Sequence, residues 1–338
     1  MSRWVDHKTA LAWSLVLSAL VQTPLIAQEP SSASFDSILN HHSLQTTLAV
    51  RDYITSHPDA SDYEAACQWL LEDVRTHGWE QHAAAVAESI LDQPSLPPSL
   101  RKAALEVSCV ATAKAGQIEQ AVDEFKQLLK SIRLKEPEPT IALAQSIAAQ
   151  AQLAGKSELA TEVFEALSTA YFLNAFVRNY SSRQIDKYSF FGKTPTPLTG
   201  SDTHGKPIDL SQHVGKVVLI DFWATNCPPC LKELPRLKRI YAKHHDKGFE
   251  IIGVSLDEEP SVVNRFQKQM KLPWSTIMNQ SLKPAAKEQF KVKTIPSLFL
   301  VNRQGRIAAI DVRGVDLEPA IERLMKQPPL KALKGVTQ

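Results

Sequence analysis

The chain has 338 residues, with 38 Lys and Arg against 36 Asp and Glu, a net charge of +2. That length leaves room for two domains beyond a leading segment. The near-balance of charge, with no basic run interleaved with aromatics in either half, does not imply a nucleic-acid partner.

The N-terminus reads as a targeting segment. Arg3 and Lys8 give a basic start, Ala10 to Val21 is apolar apart from Ser14 and Ser18, and Pro24-Leu25-Ile26-Ala27 offers a small residue for cleavage. The apolar run would span about 18 Å as a helix, short of the roughly 30 Å of a bilayer core. Residues 1–27 are therefore expected to be a signal peptide. Leu25 is an imperfect match to A-x-A, which keeps an uncleaved anchor as the alternative. Either outcome places the rest of the chain outside the cytoplasm, in a periplasm or cell envelope where disulfides persist.

From about Ser37 to Asn179 the apolar spacing is helical and alanine is abundant; the helical domain is set at 35–180. A repeat is visible in it. Gly78, Gly116 and Gly155 are followed five places on by Ala83, Ala121 and Ala160, and nine places on by Ala87, Phe125 and Phe164. The glycine fits a turn between helices, the alanine a close approach, and the aromatic a groove between repeats. This resembles tetratricopeptide-type hairpins with a longer period, the extra residues falling in connections at Pro94-Ser95-Leu96-Pro97-Pro98 and Pro137-Glu138-Pro139. Such a domain could present a concave surface to a protein partner. An irregular helical bundle with chance spacing is the alternative. Cys67 and Cys109 each lie on an apolar helix face, as buried inert thiols or as a disulfide between neighbouring repeats.

Charge divides between the halves. Gln28 to Lys187 carries 13 basic and 21 acidic residues, and Tyr188 to Gln338 carries 23 basic and 14 acidic. Independent solvation of the two surfaces and an electrostatic contact between them are both open. The join is expected within Asn179 to Tyr188, with Phe191 to Pro197 opening a second domain set at 188–330. Gly205 and Asn302-Arg303-Gln304-Gly305 read as hairpin turns, the latter between strands ending at Val301 and starting at Arg306. Asp316 to Met325 reads as a closing helix with Asp316 as its N-cap.

The chemistry concentrates at Cys227-Pro228-Pro229-Cys230. It follows Val217 to Ala224, which reads as a buried strand, and precedes Leu231 to Leu237, which has helical spacing. A thiol opening a helix is placed where N–H groups and the positive dipole end favour the thiolate, and a second thiol one turn on can close a disulfide with it. Zinc would need further ligands; Cys67 and Cys109 stand singly upstream and His244 and His245 are adjacent, so no metal is expected. Asp221 interrupts the apolar strand, and burial there would raise its pKa. Pro296 precedes the apolar run Ser297 to Val301 and belongs at a strand's start. A cis bond before it would present the backbone of Ile295 to a partner.

These residues carry a family resemblance. Gly215 to Leu219, Phe222-Trp223-Ala224-Thr225, Cys227 to Cys230, Glu233-Leu234-Pro235 and Thr294-Ile295-Pro296-Ser297 resemble the thioredoxin fold, and more narrowly the extracytoplasmic thiol–disulfide oxidoreductases of the TlpA/ResA type. Phe249 to Gln280 sits where that branch carries an extra βα insertion. The resemblance covers about two-fifths of the chain. It implies an α/β thioredoxin fold behind the all-α N-terminal region. Cys227 would be the attacking thiolate and Cys230 the resolving thiol. Asp221 would be the buried acid that helps deprotonate Cys230, and Pro296 the cis-proline, with Trp223 and Ile295 as supporting residues. No cofactor is implied beyond the redox-active Cys227–Cys230 disulfide. The implied partners are proteins bearing disulfides, including those of cytochrome c maturation, and a membrane thiol donor for recycling. One departure is Asn226, where the family usually has tryptophan, which bears on substrate preference and potential. Pro228 suits the first helical position but removes a donor, so Cys227 is expected to titrate below a free thiol without reaching the extreme. Two other readings compete. One is a scaffold of helical repeats with an incidental thioredoxin module. The other is a peroxiredoxin, whose hydroxyl three residues before the cysteine is replaced here by Ala224.

Overall fold

The computed structural model describes residues 35–329, apart from 94, 132–136, 196, 203 and 280–285. The basic start and the apolar run read as a targeting segment lie outside the described residues. Among the described residues no helix is long and apolar enough to cross a membrane. The chain divides into residues 1–49, whose described part is the first stretch of helix α1 (Phe35–Ser56), and residues 50–338, which form one compact unit.

The first half of that larger unit is helical: α2 (Tyr63–His77), α3 (Ala84–Leu91), α4 (Pro98–Lys114), α5 (Ile118–Ser131), α6 (Pro137–Leu153), α7 (Ser157–Ala170) and α8 (Ala175–Tyr188). Gly78, Gly116 and Gly155 all have positive φ, a region open to glycine at little cost, and each turns the chain between helices. Ala83, Ala121, Ala160, Ala87, Phe125 and Phe164 are all buried. Two features differ from expectation. Pro98, Pro137 and Pro139 lie in the first turns of α4 and α6, not in connections, because a helix's first N–H groups have no intrahelical partner to lose. Residues 179–188, expected as a join, belong to α8, whose buried positions include Ser181, Gln184 and Lys187.

The second half holds β1 (Thr199–Ser201), β2 (Pro207–Asp209), β3 (Val217–Trp223), α9 (Pro228–His244), β4 (Phe249–Ser255), α10 (Pro260–Met270), β5 (Ser275–Met278), α11 (Ala286–Gln289), β6 (Ser297–Val301), β7 (Ile307–Ile310) and α12 (Leu317–Met325). β1 and β2 form a hairpin around Gly205. The main sheet has the order β5-β4-β3-β6-β7, with β3, β4 and β5 parallel and β6 and β7 antiparallel to their neighbours. Every residue of β3 is buried, as a strand covered on both faces requires. Val218, Ile220 and Phe222 join a core shared with Phe125, Phe164, Tyr188, Phe290 and Phe299, so the helical layer covers that face. Val217 and Leu219 pack on the opposite side against Leu234, Leu237 and Ile240 of α9 and Leu317, Ile321 and Leu324 of α12. Strand alternation puts Asp221 on that second side too. Gly192 and Lys193 exchange backbone hydrogen bonds with Ile307, covering the outer edge of β7.

The closing helix starts one residue after Asp316, whose side chain makes no capping bond. Its carboxylate instead accepts from Ser146 Oγ at 2.9 Å and lies 3.5 Å from Lys114 Nζ, both in the helical half. The halves do meet through charge, but the buried pairs run against their net charges. Lys114 and Lys187 come from the acidic half, Asp316 and Asp311 from the basic one. Among the described residues, only the exposed Lys293–Asp186 pair follows the overall balance. Cys67 and Cys109 are buried free thiols in separate apolar clusters, so the inter-repeat disulfide is not formed, and burial raises the pKa of both.

Candidate active site

The loop between β3 and α9 is held from below. Thr225 donates its backbone N–H to Asp257 Oδ2 at 3.0 Å and its hydroxyl to Oδ1 at 2.6 Å, while Ser255 Oγ donates to Oδ2 at 2.7 Å. Of these, Thr225 belongs to a stretch that carries the family resemblance, whereas Ser255 and Asp257 were not singled out by the sequence. The signal is faint, a hydroxyl and a carboxylate just past the ends of adjacent parallel strands.

That loop delivers Cys227 to the N-cap of α9. Pro228 and Pro229 have no N–H, so the first helix N–H free to face the cap is that of Cys230. It points at Cys227 Sγ across 3.3 Å. Cys227 and Cys230 are joined in a disulfide, with Cys227 only 7% exposed. Trp223, Ala224, Val263 and Met278 form one buried cluster with the two cysteines, and Ile295 packs against it. The Ile295–Pro296 bond is cis, and Ser297 begins β6. The structure thus brings Cys227, Cys230, Trp223 and Ile295 together, with Pro296 the next residue along.

Asp221 lies two residues back along β3 and is buried. Burial pushes its carboxyl up to about 7; the Arg313 charge opposes this and the Glu233 charge adds to it. Its proton is therefore exchangeable near neutral pH. Glu233, one turn beyond Cys230 on α9, has a buried Oε2 without a hydrogen-bond partner among the described residues. With Arg313 it lines a cavity of about 620 Å³ whose other wall is helical, including Arg75, Glu106 and Ser146.

Trp223 depends on Gly253 in the neighbouring strand. A Cβ there would lie 2.6 Å from Thr276 Oγ1 and 3.0 Å from Trp223 Nε1. Gly253→Ala is expected to cost about 1–3 kcal/mol by overpacking. Thermal unfolding with an unchanged midpoint would contradict it.

One cluster with metal-ligand chemistry occurs among the described residues, His244 with Glu318 and Glu322. Lys243 bridges both carboxylates, at 2.7 and 3.3 Å, so the group reads as an ion-pair network tying α9 to α12.

A cysteine pair closing a disulfide at a strand-to-helix junction, on this sheet and beside a cis-proline, defines a thioredoxin-like thiol–disulfide oxidoreductase. Comparison with known proteins agrees. The AhpC/TSA family model matches residues 192–310. Thiol-disulfide oxidoreductase ResA of Halalkalibacterium halodurans is 30% identical over 125 residues, covering 37% of this chain and 69% of the relative. ResA of Bacillus subtilis is 32% identical over 124 residues, covering 37% and 68%. The thioredoxin domain of a thiol-disulfide oxidoreductase from Bacteroides vulgatus aligns with a TM-score of 0.38 at 32% identity, over 40% of this chain and 97% of that one. The chain belongs to the ResA family of thiol–disulfide oxidoreductases, and it is an enzyme of that class. These relatives match only part of the chain, and position 224, where a peroxiredoxin places a hydroxyl, is a buried alanine.

Proposed function

We propose that the protein is an extracytoplasmic reductase of protein disulfides that works through a Cys227–Cys230 dithiol. The observation that carries this reading is the cysteine pair at the N-terminus of α9, backed by a buried carboxyl two residues before the end of β3. In the reduced enzyme the Cys227 thiolate attacks one sulfur of a substrate disulfide. That bond breaks, one substrate thiolate leaves, and a mixed disulfide forms. Cys230 gives its proton to Asp221 and attacks Cys227 Sγ. The mixed disulfide breaks, the second substrate thiolate leaves, and the enzyme ends as the disulfide. Two electrons pass to the substrate, whose sulfurs take up protons from solvent. Ile295, before the cis bond to Pro296, offers its backbone to the substrate beside the cysteines.

Proteins bearing disulfides are the proposed substrates, with maturing c-type cytochromes as one class, and a membrane thiol donor the proposed source of electrons. The basic start and apolar run at residues 1–27 support export, with an anchor as the alternative form. The helical domain, 35–180, is proposed as a tetratricopeptide-like surface for a protein partner, and 188–330 as the thioredoxin domain.

Stoichiometric transfer tests the reaction. The protein is reduced, stripped of reductant and mixed with a disulfide-bonded protein. Two substrate thiols should appear for each Cys227–Cys230 disulfide closed. Enzyme that stays reduced while the substrate stays oxidised would sink the proposal.

A further inference from the structure

We propose that Lys187, contributed by the helical layer, is a positioning residue of the redox site, acting through Asp311 and Arg313; the proposal rests on the dithiol reading above. Lys187 is buried on α8 and pairs with the buried Asp311 just after β7; its ammonium also lies 3.1 Å from Ser297 Oγ, beside Pro296. Asp311 has a positive φ of 55°, a conformation sparsely used outside glycine, and it is held there by bonds in both directions with Leu298. Its Oδ1 also accepts from Arg313 Nη2 at 2.8 Å. The same Arg313 nitrogen donates to the carbonyl of Pro296, and the Arg313 and Asp221 charges act on one another. A chain of polar contacts therefore runs from the helical layer to the cis-proline carbonyl, and from Arg313 its charge reaches the buried acid.

The logic is one of charge balance. Two cations share Asp311, so these three groups carry a surplus of +1, opposed at Asp221 by the Glu233 charge on α9. Without Lys187, Asp311 would claim Arg313 alone and the surplus would vanish. The other ionisable groups around this cluster include Tyr180 and Tyr188 on α8, whose hydroxyls burial pushes up and keeps neutral, Arg183 on the same helix, Glu233 on α9, and Arg75, Glu106 and Asp316 around the cavity that Asp311 and Arg313 line. Lys187 is thus suited to set the field in which Asp221 and the cysteine pair exchange protons, a role a surface salt bridge could not fill.

The test is the pH midpoint of Cys227 alkylation in the reduced full-length protein. Lys187→Met is expected to raise that midpoint by about half a pH unit, roughly threefold less thiolate at a fixed lower pH. Lys187→Met combined with Asp311→Asn restores the +1 surplus and should bring the midpoint back. Arg313→Gln, which also removes the surplus, should raise it even where Lys187→Met fails to fold. A pair that only holds the halves together would lower the melting temperature and leave every midpoint alone. Unmoved midpoints in folded variants, or a shift that the double variant does not reverse, would overturn the proposal. Absence of a reactive thiol in the unmodified protein would instead remove the dithiol reading itself.

Discussion

Cys227→Ser is expected to abolish disulfide reduction, lowering the rate by at least about 10³-fold, the scale on which loss of an obligate nucleophile acts. The reason is positional. Cys227 Sγ caps α9 and faces the Cys230 N–H, so it is the sulfur the helix end can support as an anion. Cys230→Ser should behave differently. Attack by Cys227 would proceed, resolution would not, and a mixed disulfide with the substrate would accumulate. Non-reducing electrophoresis after mixing with a disulfide-bonded protein separates the two. A Cys230→Ser variant that turns over as fast as the unmodified enzyme, or a Cys227→Ser variant that traps substrate through Cys230, would reverse the assigned roles.

Asp221→Asn is expected to make the protein more stable and less active at once. Burial raises the Asp221 carboxyl from 3.8 to about 7, with Arg313 opposing and Glu233 adding to the effect. Below about pH 4 both folded and unfolded chains hold the proton, and nothing is lost. Between the two values the unfolded chain releases it while the folded chain keeps it, so stability falls as pH rises. Above about 7 the full difference applies, about 4 kcal/mol for some three pH units. The amide carries no such penalty. The stability gap between variant and original should therefore open from pH 4 to 7 and stay level beyond. Asp221 can accept the Cys230 proton only once it is ionised, so the variant's deficit in exchange rate should open as pH rises through about 7, toward about 10²-fold, and the inflection in rate near pH 7 should be lost. Denaturant unfolding and exchange rates measured from pH 4 to 8 check both halves. A gap that does not widen with pH would mean that Asp221 is ionised at little cost.

Much of this site could be read from the chain because its signals are local. Seven buried residues followed by C-P-P-C mark β3 and the start of α9, and the single carboxylate among them marks Asp221. A proline ahead of an apolar run marks the start of β6. The turns at Gly78, Gly116 and Gly155 were legible for a similar reason, since each is a left-handed glycine just past the end of a helix. The rest depends on contacts between residues far apart in the chain. Lys187 and Asp311 are 124 positions apart, and a lysine in the polar stretch 179–188 looks like a solvated connection until the sheet is laid against it. Asp316 looks like an N-cap because it stands before a helix; the residues that draw its carboxylate away, Ser146 and Lys114, lie in another layer. Asp257 supports the active-site loop only because β3 and β4 are parallel neighbours.

The most direct test of the account is the reduction potential of the Cys227–Cys230 pair, found by equilibrating the protein with glutathione or dithiothreitol and quenching with an alkylating reagent. A reductase should lie toward thioredoxin's value of about −270 mV, low enough to pass electrons to less reducing protein disulfides. A value near the roughly −120 mV of a strong periplasmic oxidant would contradict the reductive direction and make this a disulfide-forming enzyme.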